Sequence, residues 1–414
     1  MKKFDPSTKI HDYLVFGEFG DVNPSITDSS TFTFLNPKTM EESFQHDIEG
    51  CFLYSRHWNP INKFLSNALA RLEDTESAQV TASGMGAIST VILQLCSAGD
   101  EIVSERTIYG GTYALFKNFL PKLGIKVNFV DMQKLKQVEN AITHKTKVIY
   151  AESISNPLLE ITDLPALSKI AKRHNVKLVV DNTFSPMIIS PKRLGADIVI
   201  HSMTKFINGS SDCVAGCICS TEEFINSLTD VNSGATMLLG PVLDSLRAAS
   251  ILKNLHTLHI RMEKHGANAL YLAQEFEKLG LKVYYPGLKS NKHYNLINEL
   301  MNEGFGYGGM LALDVGTYEN AAKLMVRMQE ESVGYLAVSL GYFKTLFSAP
   351  GHSTSSEIPG EDQKSMGLSE GLIRFSVGLD NDITIAFERI KKCLKELNII
   401  KNEHKPKLRS YQHA

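Results

Sequence analysis

Between residues 77 and 219 short apolar runs alternate with helical stretches, and this alternation restricts the fold more than any other feature of the chain. Residues 77–82, 101–104, 127–130, 147–150, 177–181, 197–200 and 214–219 read as strands. They are rich in Val and Ile and too short for buried helices. Helical patterns fall between them, at 84–96 after Gly84-Met85-Gly86, at 113–120 and at 164–173. Short buried strands joined by helices predict an α/β fold with a mainly parallel sheet. In such sheets functional residues gather past the carboxyl ends of strands. Ser83, Ser153, Asp181 and Ser202 stand at those places.

The rhythm is missing before Asn62. Residues 1–61 have weak periodicity, are rich in Pro, Ser, Thr and Asp over 21–34, and read as an extended arm with little core of its own. Residues 62–255 carry the α/β pattern, and a helix pattern (63–72) opens it. Residues 256–414 read as a smaller α+β unit, with strands expected at 282–285 and 310–315, a helix at 320–329 and a strand–helix pair over 372–397. A chain of 414 residues, 43% hydrophobic and 21% charged, has ample core and an ordinary globular composition. Lys and Arg number 43 against 45 Asp and Glu, so no electrostatic footprint for nucleic acid exists.

No run reaches the apolar length of a membrane span, and Met1-Lys2-Lys3-Phe4-Asp5-Pro6 has no apolar leader segment. The cysteines are Cys51, Cys96, Cys213, Cys217, Cys219 and Cys393. Cys213-Val-Ala-Gly-Cys217-Ile-Cys219 lacks zinc-ligand spacing, so no metal is expected and the thiols read as buried and reduced. That usage fits a cytoplasmic protein.

The strongest chemical signal is Val179-Val180-Asp181-Asn182-Thr183-Phe184 followed by His201-Ser202-Met203-Thr204-Lys205-Phe206. Taken singly, Asp181 is an ordinary turn residue and Lys205 a solvated surface lysine. Together they match the demands of pyridoxal phosphate. That cofactor needs a lysine for its Schiff base and a carboxylate against its pyridinium nitrogen. Ser202 and Thr204 could offer hydroxyls to its phosphate. Thr81-Ala82-Ser83-Gly84-Met85-Gly86 runs from a strand into a helix, and backbone N–H groups at a helix start bind anions. A nicotinamide enzyme would want G-x-G-x-x-G, but Ser89 stands at the third position. A phosphate cup for a smaller cofactor suits this loop better.

With these residues in view, the chain resembles the Cys/Met-metabolism branch of pyridoxal-phosphate enzymes. The matching motifs are Tyr54-Ser55-Arg56-x-x-Asn59-Pro60, Ser83-Gly84-Met85, Tyr109-Gly110-Gly111-Thr112, Ser155-Asn156-Pro157, Val180-Asp181-Asn182-Thr183, His201-Ser202-x-Thr204-Lys205, Ser339-Leu340-Gly341 and Gly371-Leu372-Ile373-Arg374-Phe375-Ser376-Val377-Gly378. The resemblance implies an aminotransferase type I-like fold, with 62–255 as the cofactor domain and 256–414 as the C-terminal domain.

It also implies roles. Lys205 would hold the cofactor, Asp181 would pair with its ring nitrogen, and Tyr109 would stack on the ring and help move protons. Gly84 and Met85 would bind phosphate through backbone N–H groups, and Asn156 would contact the phenolic oxygen. Ser339 and Arg374 would hold the substrate's α-carboxylate, for which an arginine fork is suited. Tyr54 and Arg56 would reach the phosphate of a neighbouring subunit, so a homotetramer of paired dimers is expected. Each residue also has an ordinary reading: Tyr109 as a helix-entry aromatic, Arg374 as a strand-edge charge, Arg56 as a loop charge and Asn59-Pro60 as a turn.

Two positions bear on substrate. Gly111, two residues after Tyr109, resembles the cystathionine enzymes and plant-type methionine γ-lyases, where many bacterial methionine γ-lyases have Cys. Val338, before Ser339, resembles methionine γ-lyases, where cystathionine-handling members usually place Glu. Residues 337–346 and 353–357 look most like the plant-type enzyme. These features predict elimination of methanethiol from methionine. Cystathionine γ-lyase, cystathionine γ-synthase and O-acetylhomoserine sulfhydrylase stay as alternatives, and a nicotinamide oxidoreductase is the alternative of another class. The chain departs from the family at Ile61, where Thr is usual, and in residues 348–355, which replace a His-Pro-Ala-Ser run and are expected to border the substrate entrance.

Overall fold

The computed structural model describes residues 4–16, 20–45, 48–353 and 360–401. Thr354 and Ser355 of the expected entrance loop, and Ser356 and Glu357 after it, therefore lie outside the described residues. Two sheets organise the chain. The larger contains β1 (Ser77–Thr81), β2 (Glu101–Glu105), β3 (Lys126–Val130), β4 (Thr146–Glu152), β5 (Lys177–Asp181), β6 (Ile198–His201) and β7 (Gly216–Ser220). Its order is β1-β7-β6-β5-β4-β2-β3. Neighbours from β3 to β6 run parallel, while β7 is antiparallel to both β6 and β1. The mainly parallel sheet was expected. The single reversed strand, β7, between β1 and β6, was not, because apolar periodicity carries no strand direction.

Alternate residues of each strand face opposite layers. Ile102, Val148, Tyr150, Val179, Ile200 and Ile218 pack against Ile88, Val91 and Ile92 of the helix Gly84–Leu95. Val103, Ile149, Val180, Val199 and Cys217 face Leu65 and Leu69 of the helix Pro60–Glu73 and Leu167 of the helix Leu164–Arg173. A sheet covered on both faces accounts for strands that read as nearly unbroken apolar runs.

The smaller sheet contains β8 (Lys282–Tyr284), β9 (Met310–Asp314), β10 (Gly334–Leu336), β11 (Thr345–Ser348) and β12 (Leu372–Ser376), in the order β10-β11-β12-β9-β8. Ile373 and Phe375 of β12 pack into a core with Phe276, Leu324, Met328 and Ile390 from three helices. Arg374, between them, points to the opposite face, where the larger sheet ends.

Several expectations need correction. Residues 113–120 do not form one regular helix: Gly110–Ala114 is followed by a π turn at Leu115–Phe119 and a 3-10 turn at Leu120–Leu123. Cys213 is only partly buried, though all six cysteines are free. Asn59-Pro60 is a helix start rather than a loose turn. Asn59 Oδ1 accepts from the Ile61 N–H at 3.2 Å, and Pro60 takes the first helical position. Ile61 is 1% exposed, so the departure from Thr fills core space. The arm is less bare than expected, since its helix Pro6–His11 sends Ile10 into the main core.

Candidate active site

The site lies where β1, β4, β5 and β6 end. Ser83 follows β1 with extended backbone and caps the helix Gly84–Leu95, its Oγ accepting from Gly86 N–H at 2.9 Å. The start of that helix abuts the turn after β6. A Cβ on Gly84 would lie 2.7 Å from Ser202 Cβ, so only glycine permits this approach. Ser202 N–H donates to Thr183 Oγ1 at 2.8 Å, which locks the turn to β5. Thr204 reaches the same region, but its Oγ1 donates to Ala215 O at 3.2 Å and accepts from Ala215 N–H at 3.0 Å. To serve an anion it needs only to redirect its hydroxyl proton from Ala215 O, while still accepting from Ala215 N–H.

Asp181 closes β5 and is buried. Its Oδ1 accepts from Thr183 N–H at 3.0 Å and from the Thr183 hydroxyl, and Tyr150 Oη lies 3.4 Å from Oδ2. Burial pushes its pKa up, and the Thr183 hydrogen bonds pull against that rise. Glu152 ends β4 in register with Asp181 and is also buried. Its Oε1 accepts from Tyr109 N–H at 2.8 Å and its Oε2 from Asn156 N–H at 2.9 Å. Burial, then the charge of Asp181, raise the Glu152 pKa well above the carboxylate range. Sequence reasoning passed over Glu152. The signal was present: it is an acid ending an apolar strand, the same feature that singled out Asp181.

Lys205 Nζ donates to Ser339 Oγ at 2.9 Å. Burial and then the Arg374 charge lower the Lys205 pKa to about 8. Ser339 has a φ of 92°, a left-handed backbone unusual outside glycine. Arg374 is 3% exposed, and its hydrogen bonds go to neutral oxygens, Asn156 Oδ1 at 3.0 Å and Ser339 O at 3.3 Å. Burial lowers its pKa to about 10, so it remains a cation at neutral pH. A buried cation with neutral partners is suited to a carboxylate.

Gly84, Met85, Tyr109, Asn156, Asp181, Ser202, Thr204, Lys205, Val338, Ser339 and Arg374 line one cavity of about 430 Å³, together with Glu152 and Thr183. Its acidic and basic lining residues are Glu152, Asp181, Lys205 and Arg374, while Ile154, Phe184, Val214, Val338 and Leu340 are apolar. Tyr109 leans over Gly111, where a Cβ would come within 2.6 Å of its ring, so Gly111 is what allows this ring position. Tyr54 and Arg56 are not among the lining residues. Arg56 Nη1 donates to Met237 O at 2.9 Å, and its guanidinium sits 5.7 Å from the Tyr54 ring centre. Among the described residues no group of acidic, His or Cys side chains could hold a metal ion, and no helix is long and apolar enough to cross a membrane.

Comparison with known proteins gives concordant results. The family model for Cys/Met metabolism PLP-dependent enzymes matches residues 10–388. A methionine gamma-lyase of Arabidopsis thaliana is 44% identical over 88% of this chain and 84% of its own. An L-methionine gamma-lyase of Fusobacterium nucleatum subsp. polymorphum is 37% identical over 91% and 94%. A crystal structure from Campylobacter jejuni, assigned as an O-acetylhomoserine (thiol)-lyase and carrying a pyridoxyl-lysine monophosphate, superposes with a TM-score of 0.88. It is 27% identical, over 94% of this chain and 100% of that one.

Proposed function

Because the chain belongs to the Cys/Met-metabolism family of PLP-dependent enzymes, with pyridoxal phosphate as cofactor and a type I α/β fold, we propose that it cleaves L-methionine and water to methanethiol, ammonia and 2-oxobutanoate. The donor set fits the cofactor. The glycine at 84, whose Cβ would collide with Ser202, leaves room for an anion at a helix start. Asp181 and Lys205 stand on the same cavity wall system as that cup. Bound there, pyridoxal phosphate supplies an electron-withdrawing ring that stabilises negative charge on the substrate's α-carbon.

The chain's residues do the rest. The backbone N–H groups of Gly84 and Met85, with the Ser202 and Thr204 hydroxyls, bind the phosphate. Asp181 keeps a proton on the ring nitrogen, and its burial makes that pairing strong. Asn156 contacts the phenolic oxygen. Arg374 and Ser339 orient the substrate carboxylate. Lys205 Nζ takes the proton from the substrate's Cα. With a pKa near 8 its neutral form is accessible at physiological pH, as a general base requires. The Tyr109 hydroxyl stands at the cavity edge to pass a proton to the departing sulfur.

The observation that carries the choice of methionine is the apolar side chain beside Ser339: Val338, 58% exposed, lines the cavity there. A methyl thioether gains from apolar contact there, while the distal ammonium of cystathionine would lose solvation without a partner.

We further assign residues 1–61 as an arm that brings Tyr54 and Arg56 to a neighbouring subunit's phosphate, 62–255 as the cofactor domain and 256–414 as the C-terminal domain. The assembly is a cytoplasmic homotetramer of paired dimers. The test is a product assay with methionine, cystathionine, cysteine and O-acetylhomoserine. Methanethiol and 2-oxobutanoate from methionine are expected. Much faster cleavage of cystathionine would replace this reading with a cystathionine γ-lyase.

A further inference from the structure

We propose that Glu73 is a positioning residue that ties together the ends of β4, β5 and β6 from beneath the sheet, and so sets the spacing between Asp181 and the Ser202–Lys205 turn. The inference rests on the cofactor-holding roles given above to Asp181 and Ser202. Glu73 is the last residue of the helix Pro60–Glu73 and is 1% exposed. Its Oε1 accepts from His201 Nε2 at 2.7 Å and from Asn182 Nδ2 at 3.0 Å. Asn182 Oδ1 in turn accepts from Ser153 Oγ at 2.7 Å.

Ser153, Asn182 and His201 each neighbour a residue of the cavity, namely Glu152, Asp181 and Ser202. Adjacent residues at strand ends face opposite sides of a sheet. The network below is therefore a register mark for the groups above: one carboxylate oxygen reaches two strand ends directly and a third through Asn182.

Stability alone does not account for this arrangement. The pair sits in an apolar layer with Leu69 and Val199, and Glu73 Oε2 has no hydrogen-bond partner among the described residues. Burial disfavours charge on His201, yet the Glu73 hydrogen bond and charge raise its pKa to about 8, which favours the protonated ring at neutral pH. Buried ion pairs are commonly no more stabilising than apolar residues of similar volume, and their best-attested use is to specify register. Here the register specified is that of the strands bearing the ring-nitrogen partner and the phosphate turn.

The test uses the holoenzyme and the variants Glu73→Ala, Glu73→Gln and His201→Gln. The readouts are the dissociation constant for pyridoxal phosphate by equilibrium dialysis, the visible absorption of the bound cofactor, and kcat and KM. Glu73→Ala should raise the cofactor dissociation constant by about tenfold or more, because two buried donors lose their acceptor. Its kcat should fall while KM for methionine changes less than about twofold, as expected when transition-state placement rather than ground-state binding is lost. His201→Gln places an amide N–H near the Nε2 position and should retain cofactor affinity close to wild type. A Glu73→Ala protein that melts lower but binds the cofactor with wild-type affinity and absorption would overturn the proposal.

If Glu73→Ala does not fold, Glu73→Gln serves in its place. An intermediate dissociation constant supports the proposal, and a wild-type value with lowered thermal stability overturns it. Cofactor affinity is measured without an amino acid present. Failure of the wild type to cleave methionine would therefore sink the functional reading and leave this result intact.

Discussion

At the floor of the cavity Asp181, Glu152, Asn156 and Arg374 are all buried, and each is held by hydrogen bonds from backbone or side chains fixed by the sheets. At the rim Val338 and Val214 are each 58% exposed and Tyr109 is 39% exposed. The floor is set by the fold: moving any of its groups disturbs a strand end. At Val338 and Val214 the rim is made of exposed apolar side chains. The contrast teaches that the chemistry of such a site is costly to change, whereas the choice of substrate can drift one side chain at a time.

The comparison is broken most directly at Lys205. Lys205→Ala should lower turnover by about a hundredfold to ten-thousandfold, the usual contribution of a positioned general base. After borohydride treatment and digestion the phosphopyridoxyl group should be found on the wild-type Lys205 peptide. Its recovery on another lysine would remove Lys205 from the floor. Asp181→Asn should keep fold and cofactor but lose about a hundredfold or more in kcat, because an amide cannot hold the ring proton. Near wild-type turnover would show that the ring nitrogen needs no charge partner.

Subunit mixing asks whether the rim belongs to one chain. Arg56→Ala and Lys205→Ala proteins, each inactive alone, should regain part of the activity when their subunits exchange, because one hybrid site has both native residues. No recovery after verified exchange would mean that the site is built within a single chain.

A smaller effect is expected from pH. Lys205 is a depressed lysine, neutral above about pH 8 in the folded protein. The rate at which cofactor-free protein takes up pyridoxal phosphate covalently should therefore rise as pH rises through about 8, since the neutral amine is the nucleophile. The sign for stability agrees: the unfolded chain binds the extra proton up to the ordinary lysine pKa. This group's contribution therefore makes the cofactor-free fold more stable as pH rises above 8. A flat uptake rate across that range would refute the depressed value. The smallest change is expected from Val338→Glu. It should lower kcat/KM for methionine by a few fold to about tenfold and raise it for cystathionine, which a product assay on both substrates reads out.

Much of the floor was legible in the sequence because strand-end polar residues interrupt apolar runs. Asp181 and Ser202 announce themselves in that way. Glu152 carries the same signal and was overlooked, since no resemblance drew attention to it. Arg374 was identifiable only through the resemblance: on its own it is one charge in Leu372-Ile373-Arg374-Phe375, and its meaning depends on a contact with Asn156 that lies 218 residues away in the chain. Strands β10 and β11 were not read; in β10 the large apolar residues Tyr335 and Leu336 are exposed, so no buried alternation marks it. The π turn at Leu115–Phe119 was hidden because its apolar spacing is close to that of an ordinary helix.

The left-handed backbone of Ser339 bears on how the site can evolve. Glycine would relax that conformation but remove the oxygen that meets Lys205 Nζ. Threonine would keep a hydroxyl but bring a branched Cβ to a φ that branched residues resist. The mutational neighbourhood of this codon is therefore narrow on both sides. Val338, one residue earlier, is under no such backbone constraint, whereas position 339 is held both by its geometry and by the carboxylate contact assigned to its hydroxyl.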